Sequence, residues 1–176
     1  LVTYPRTDAR VLSTAVAKEI HKNIGGLKNI PGVRAFAEEI LAGGSYKNIA
    51  KTRYTNDKQI TDHYAVIPTG QGMGALNGLS HLSKQVYEVI VRRFLSIFYP
   101  PAVYQKVAIV TKIKEESFFS SFKVLAEEGY LKVAGNPAKK KAKTNNADSS
   151  DDGQNDGQME TDVNFFEKIK TLKKGM

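Results

Sequence analysis

Two consecutive prolines, Pro100-Pro101, separate stretches whose apolar residues repeat at different periods, and this limits the fold more than any other feature. Proline ends a helix because it lacks a backbone N–H and its ring clashes with the preceding turn. Before the pair, from about Ser83, the residues Val86, Tyr87, Ile90, Val91, Phe94, Leu95 and Phe98 recur at helical spacing and predict the longest helix. After it, Val103, Val107, Ile109, Thr111 and Ile113 share one face at period two, as do Phe118, Phe122, Val124 and Ala126. These are expected to be antiparallel strands joined by tight turns, with another short strand at YLKV (130–133). Helices first and strands afterwards give an α+β fold.

The first hundred residues hold further elements. Pro5 restricts Tyr4 to extended geometry, so the chain opens as an extended segment. Ser13 or Thr14 can cap a helix with Val16, Ile20 and Ile24 on its apolar face, and Gly25-Gly26 is expected to stop it. Val33, Phe36, Ile40 and Leu41 predict a second helix ending at Gly43-Gly44, and a weaker third runs from Ser45 towards Tyr54. ITDHYAVIPTGQGMG (60–74) has too much Gly and Pro for a helix. The expected division is a helical domain over 1–100 and a β-rich segment over 101–176, interrupted by a disordered, polar insertion at 136–162.

Charge narrows the function classes. The chain carries 26 Lys+Arg against 18 Asp+Glu, net +8. Residues 1–100 hold 13 basic and 7 acidic groups, so most of the excess lies in the first part and favours a polyanionic partner such as nucleic acid. With no cysteine, disulfides, thiolate catalysis and Cys-ligated zinc are excluded. His21, His63 and His81 have no partners at metal-ligand spacing, so no metal site is expected within the chain. No apolar run can cross a bilayer, no membrane partner is expected, and a cytoplasmic location is the default. The chain starts on Leu1 within an extended segment, which predicts a piece of a longer protein.

Two stretches carry candidate chemistry. In TYPRTDAR (3–10), Tyr4 and Arg6 lie two residues apart, so extended backbone points both side chains the same way. A tyrosine attacking a phosphodiester needs a cation beside the non-bridging oxygens, and the planar fork of arginine matches them. On spacing alone, a tyrosine packed on the core beside a solvated arginine is the commoner case. In TDHYAVIPT (61–69), His63 can hold or protonate a phosphate oxygen, with Asp62 biasing its charge, or can be a satisfied loop histidine. Asp148–Gly153 imitates the start of a calcium loop but has Ser150 at its third position, and the KKKAK run (139–143) reads as a solvated linker.

As an ordered pair, TYPRTDAR followed by TDHYAVIPT resembles the active-site region of type IA DNA topoisomerases, and most of all the topoisomerase III branch. The likeness continues through QVYEVIVRRFLSIFYPPAVYQKV (85–107) and, more faintly, FFEKIKTLKKGM. It implies that Tyr4 is the nucleophile forming a 5′-phosphotyrosyl bond, that Arg6 positions the scissile phosphate, and that His63 contacts the backbone beside it. Thr7, Asp8 and Arg10 complete the motif in supporting roles, Thr7, Arg10 and Asp62 are the DNA-binding candidates, and Tyr64 stands where the topoisomerase III pattern has a second histidine. The resemblance also implies a winged-helix-like tyrosine-bearing domain followed by part of a β-rich arch. Single-stranded DNA is the implied substrate, Mg²⁺ the cofactor, held by an acidic Toprim domain of the same chain, and a helicase a candidate partner in the bacterial nucleoid. No Asp-x-Asp signature of that Toprim domain occurs in the sequence, so these residues are not expected to cleave DNA alone. The rival reading is a non-catalytic, basic winged-helix module that binds DNA.

Overall fold

In the computed structural model, which describes residues 1–135, Ser13 caps the first helix: its side-chain oxygen accepts the Val16 N–H at 3.1 Å. This helix, α1 (Thr14–Gly26), gains a second cap from far along the chain. Asp57 accepts the Thr14 N–H at 2.8 Å and the Thr14 hydroxyl at 2.5 Å. An anion at a helix N-terminus also meets the positive end of the helix dipole, and these two hydrogen bonds, the hydroxyl's first, lower the Asp57 pKa. The glycines expected to stop α1 lie inside its last turn, and the chain continues as a 3₁₀ turn over Leu27–Asn29.

Gly26 has a different use. A Cβ there would sit 1.9 Å from the Gly70 carbonyl oxygen, so only glycine lets the two backbones touch. Gly70 itself holds a φ of 72°, a left-handed conformation that glycine adopts without steric cost. The contact seats the 61–70 segment directly on the end of α1.

Helix α2 (Arg34–Gly43) ends as its sequence predicts, with Gly44 left-handed and its N–H returning to the Ile40 carbonyl at 3.0 Å. The weak third helix is a 3₁₀ helix, Ser45–Lys51. Helix α3 (His81–Ser96) starts on the Ser80 cap, three residues earlier than the apolar stripe alone suggests, and ends before the prolines. Tyr87, Val91, Phe94, Leu95 and Phe98 of its stripe are buried, whereas Val86 is exposed. They join Ile20, Ile24, Leu27, Val33 and Ile40 in one core, and each such side chain taken from water contributes about 1.5–3 kcal/mol.

After Pro101 the chain forms a ribbon. Strands β1 (Val103–Ile113) and β2 (Glu116–Glu127) pair antiparallel around a tight turn where Lys114 takes a φ of 55°. Phe122 and Val124 are buried, with Val107 and Ile109 half-buried against them, but Val103, Thr111, Ile113, Phe118 and Ala126 of the predicted apolar faces are exposed. YLKV is not a strand. Leu131–Ala134 is a helical turn, α4, because the Tyr130 carbonyl accepts the N–H groups of both Val133 and Ala134. Leu131 and Val133 are both buried, which imitates the alternation of a strand.

The described chain thus divides into two compact units: a helical body of residues 1–100 with 130–134, and a unit containing the ribbon, residues 101–129. The class is α+β. The expected insertion at 136–162, the KKKAK run, the Asp148–Gly153 segment and the closing VNFFEKIKTLKKGM lie outside the described residues.

Candidate active site

Thr3 fastens together the two stretches singled out in the sequence. Its N–H donates to the Ile67 carbonyl at 2.9 Å, and its hydroxyl accepts the Ile67 N–H at 3.0 Å while donating to the Ala65 carbonyl at 3.2 Å. On one side, Thr69 N–H donates to the Leu1 carbonyl at 2.8 Å and Val2 bridges Pro68. On the other, Ala65 N–H donates to the Val11 carbonyl at 2.9 Å. Residues 4–10 therefore leave the 63–67 segment and return to it. They form an irregular loop pinned at both ends, where the sequence predicted simple extended backbone.

Thr7 pins the middle of this loop. Its hydroxyl donates to the His63 carbonyl at 3.0 Å and accepts the Ala9 N–H at 3.1 Å. This brings the side chains of the two motifs together. The Tyr4 and His63 rings lie in contact, with centroids 4.3 Å apart and planes tilted by 35°. Arg6, Asp8, Asp62 and His63 line one open cleft of about 620 Å³, with Pro5, Thr7 and Thr61. The Arg6 guanidinium is exposed and has no ion pair or hydrogen bond among the described residues, which leaves all its donors for an anion.

Tyr4 is set apart from the other aromatic residues of the body. Of the tyrosines and phenylalanines in residues 1–100 it alone is exposed, at 50%, and its hydroxyl bonds to no described residue. Tyr87 and Tyr99 show the opposite treatment. Burial raises the Tyr87 pKa. Burial first, and then the hydrogen bond to Glu39, push Tyr99 far above the usual phenol range.

The other sequence candidates separate. Asp62 lines the cleft but makes no bond to His63, so it acts on the histidine at most through space. Arg10 is exposed and lies outside this cleft, and Tyr64 is half-buried against the core. His21 and His81 are exposed and belong to other parts of the body. Thr3 and the Gly26–Gly70 contact also shape the site but leave no local pattern in the sequence, since their partners lie more than forty residues away. Among the described residues no group of three His, Asp or Glu side chains could hold a metal ion, and no helix is long and apolar enough to cross a membrane.

The class of the chain comes from comparison with known families. The chain belongs to the DNA topoisomerase family, whose model matches residues 1–171. Among its relatives are proteins named DNA topoisomerase 3: that of Bacillus licheniformis is 32% identical over 133 residues, and that of Bacillus subtilis 31% identical over 135. Another, from Bacillus cereus, is 26% identical over 136 residues. The alignments cover 76–77% of this chain and 18% of each relative, so the chain spans about a fifth of their length. The resemblance to type IA, topoisomerase III-like enzymes carried by the two motifs is thereby borne out.

Proposed function

We propose that this chain supplies the nucleophile and phosphate-holding residues of an enzyme that breaks, passes and rejoins single DNA strands. The observation that carries the reading is the meeting of the two motifs: the exposed Tyr4 ring lies against His63, beside a cleft lined by the unpaired Arg6 guanidinium. The Tyr4 oxygen bonds to phosphorus as its proton leaves. The bond from phosphorus to the 3′ oxygen breaks, and that oxygen takes up a proton. The products are a 5′-phosphotyrosyl bond and a free 3′-hydroxyl. One phosphodiester replaces another, and a phenolate, whose conjugate acid has a pKa of about 10, leaves readily enough for the reverse step. The exchange therefore needs no ATP.

Arg6 neutralises the charge gathering on the non-bridging oxygens. His63 does two things: its ring limits where the Tyr4 ring can swing, and its nitrogens can hold or protonate a phosphate oxygen. In this reading, the Mg²⁺ that type IA enzymes use is held by an acidic Toprim domain elsewhere in the complete protein. The described residues offer no ligand set for it, and the steps assigned to Tyr4, Arg6 and His63 do not pass through it. The helical body would be the winged-helix-like part of such an enzyme.

The test is the linking number of an underwound circular plasmid incubated with the complete protein and Mg²⁺, without ATP. The wild type should change it. Tyr4→Phe should lower the rate by more than about 10³-fold while binding single strands within about twofold of wild type. Equal activity in Tyr4→Phe would end the assignment.

A further inference from the structure

A second concavity, of about 270 Å³, opens on the body where the two motif segments meet α3. Its walls include Leu12, Tyr54, Val66, Ile90, Phe94 and Ile97, and among the described residues the only charged side chains lining it are Arg10 and Arg93. Both arginines are exposed, and neither side chain has an ion pair or hydrogen bond among the described residues. A third guanidinium, that of Arg53, lies 5.2 Å from the centroid of the Tyr54 ring. Apolar walls with the two unpaired guanidiniums of Arg10 and Arg93, and no carboxylate among the described lining residues, suit one kind of ligand, a flat apolar ring system with anionic arms. The volume lies just below the usual range of sites for drug-sized ligands.

We propose that this pocket receives one nucleobase of the DNA strand held at Tyr4, with Arg10 and Arg93 on the phosphates that flank it. The inference rests on the reading of the Tyr4 cleft as a strand-cleaving site. Continuity with that cleft supports it. Arg10 follows Arg6 by four residues, at most about 14 Å of extended chain. The wall residues Ala65, Val66 and Ile67 directly follow His63 and Tyr64, and the Ala65–Val11 hydrogen bond ties the two segments at the pocket. A strand whose phosphate sits on Arg6 thus reaches Arg10 within a short path. With so few polar side chains in the lining, the pocket grips a base by its faces and is tolerant of its identity.

The experiment is an abasic scan. The complete protein binds a set of single-stranded oligonucleotides, each lacking one base, with Mg²⁺ omitted so that no strand is cut. Wild type should show one position where loss of the base weakens binding by at least about fivefold, as stacked bases elsewhere do. Val89, on the pocket rim, is 67% exposed, so Val89→Trp can cover the opening without disturbing the core. In that variant the sensitive position should become flat, and Arg93→Gln should reduce the sensitivity too. A flat wild-type scan, with binding intact and weakened by Arg6→Ala, overturns the pocket and leaves the cleft reading standing. A flat scan caused by another segment of the complete protein filling the pocket counts against it equally. A sensitive position unchanged in both variants places the base elsewhere and also overturns it. Absence of any single-strand binding removes both readings.

Discussion

The body and the ribbon treat aromatic residues in opposite ways. In residues 1–100 every phenylalanine and tyrosine but Tyr4 is buried or half-buried, whereas in the ribbon Tyr104, Phe118 and Phe119 are exposed, Phe119 at 79%. The difference follows from architecture. Helices packed on several sides can enclose a ring, while a two-stranded ribbon covers at most one face of itself. Exposure of a ring therefore means different things in the two places. On the ribbon it is the geometric default. On the body it is an exception, and the exception falls on the one tyrosine whose ring lies against His63 beside an unpaired arginine.

Core substitutions should separate the two regions most strongly. Ile24 is fully buried in the body, so Ile24→Ala should cost about 3–4 kcal/mol in denaturant unfolding. Phe119→Ala on the ribbon should cost less than about 1 kcal/mol, the worth of its cross-strand pair with Val110. Similar losses at both positions would break the comparison. Gly26→Ala comes next. Its new methyl would drive the Gly70 backbone off α1, and a loss of about 2–3 kcal/mol is expected, together with a weaker grip on single-stranded DNA because the 61–70 segment is displaced.

A smaller effect comes from Glu39, which accepts hydrogen bonds from Lys132 at 2.8 Å and from Tyr99 at 3.0 Å and so ties α4 to α2. Chiefly through the Lys132 bond, its pKa is lowered in the folded state. A lowered carboxyl pKa gives stability that is present above the unfolded value of about 4.3 and is lost as pH falls through the folded value. The pair is half exposed, so the contribution is no more than about 0.5 kcal/mol. Glu39→Gln should accordingly remove a small part of the stability loss seen on acidification below about pH 4.3. The smallest change concerns the ribbon. Lys106 stands directly opposite Lys123, a like-charge pair that weakens the ladder. Lys106→Glu should slow hydrogen exchange of the ribbon amides by about two- to fivefold, and faster exchange would refute the pairing.

Much of this architecture is legible in the sequence where information is local. The Ser13 cap, the Gly44 stop, the α3 stripe and the change of period at Pro100 depend on neighbours a few residues away. What is not legible has a shared cause. α1 does end at Gly26, but the contact with Gly70 that requires a glycine there is invisible locally, and YLKV reads as a strand because burial of Leu131 and Val133 repeats every second residue in a single helical turn as well. The candidate site divides the same way. TYPRTDAR and TDHYAVIPT mark Tyr4, Arg6 and His63, but the ring contact depends on Thr3 and Thr7, which bond across 56 to 64 residues. Arg93 reads as one more solvated helix residue until the fold places it beside Arg10 on an apolar pocket.

The most direct measurement is covalent capture. The complete protein is mixed with Mg²⁺ and a 3′-labelled single-stranded oligonucleotide, quenched with denaturant and digested, and the labelled peptide is sequenced by mass spectrometry. The account predicts label on Tyr4, joined through a 5′-phosphate, and none in Tyr4→Phe. Label on another residue, or an oligonucleotide that binds but is never captured, would contradict it and return Tyr4 to the ordinary surface of the body.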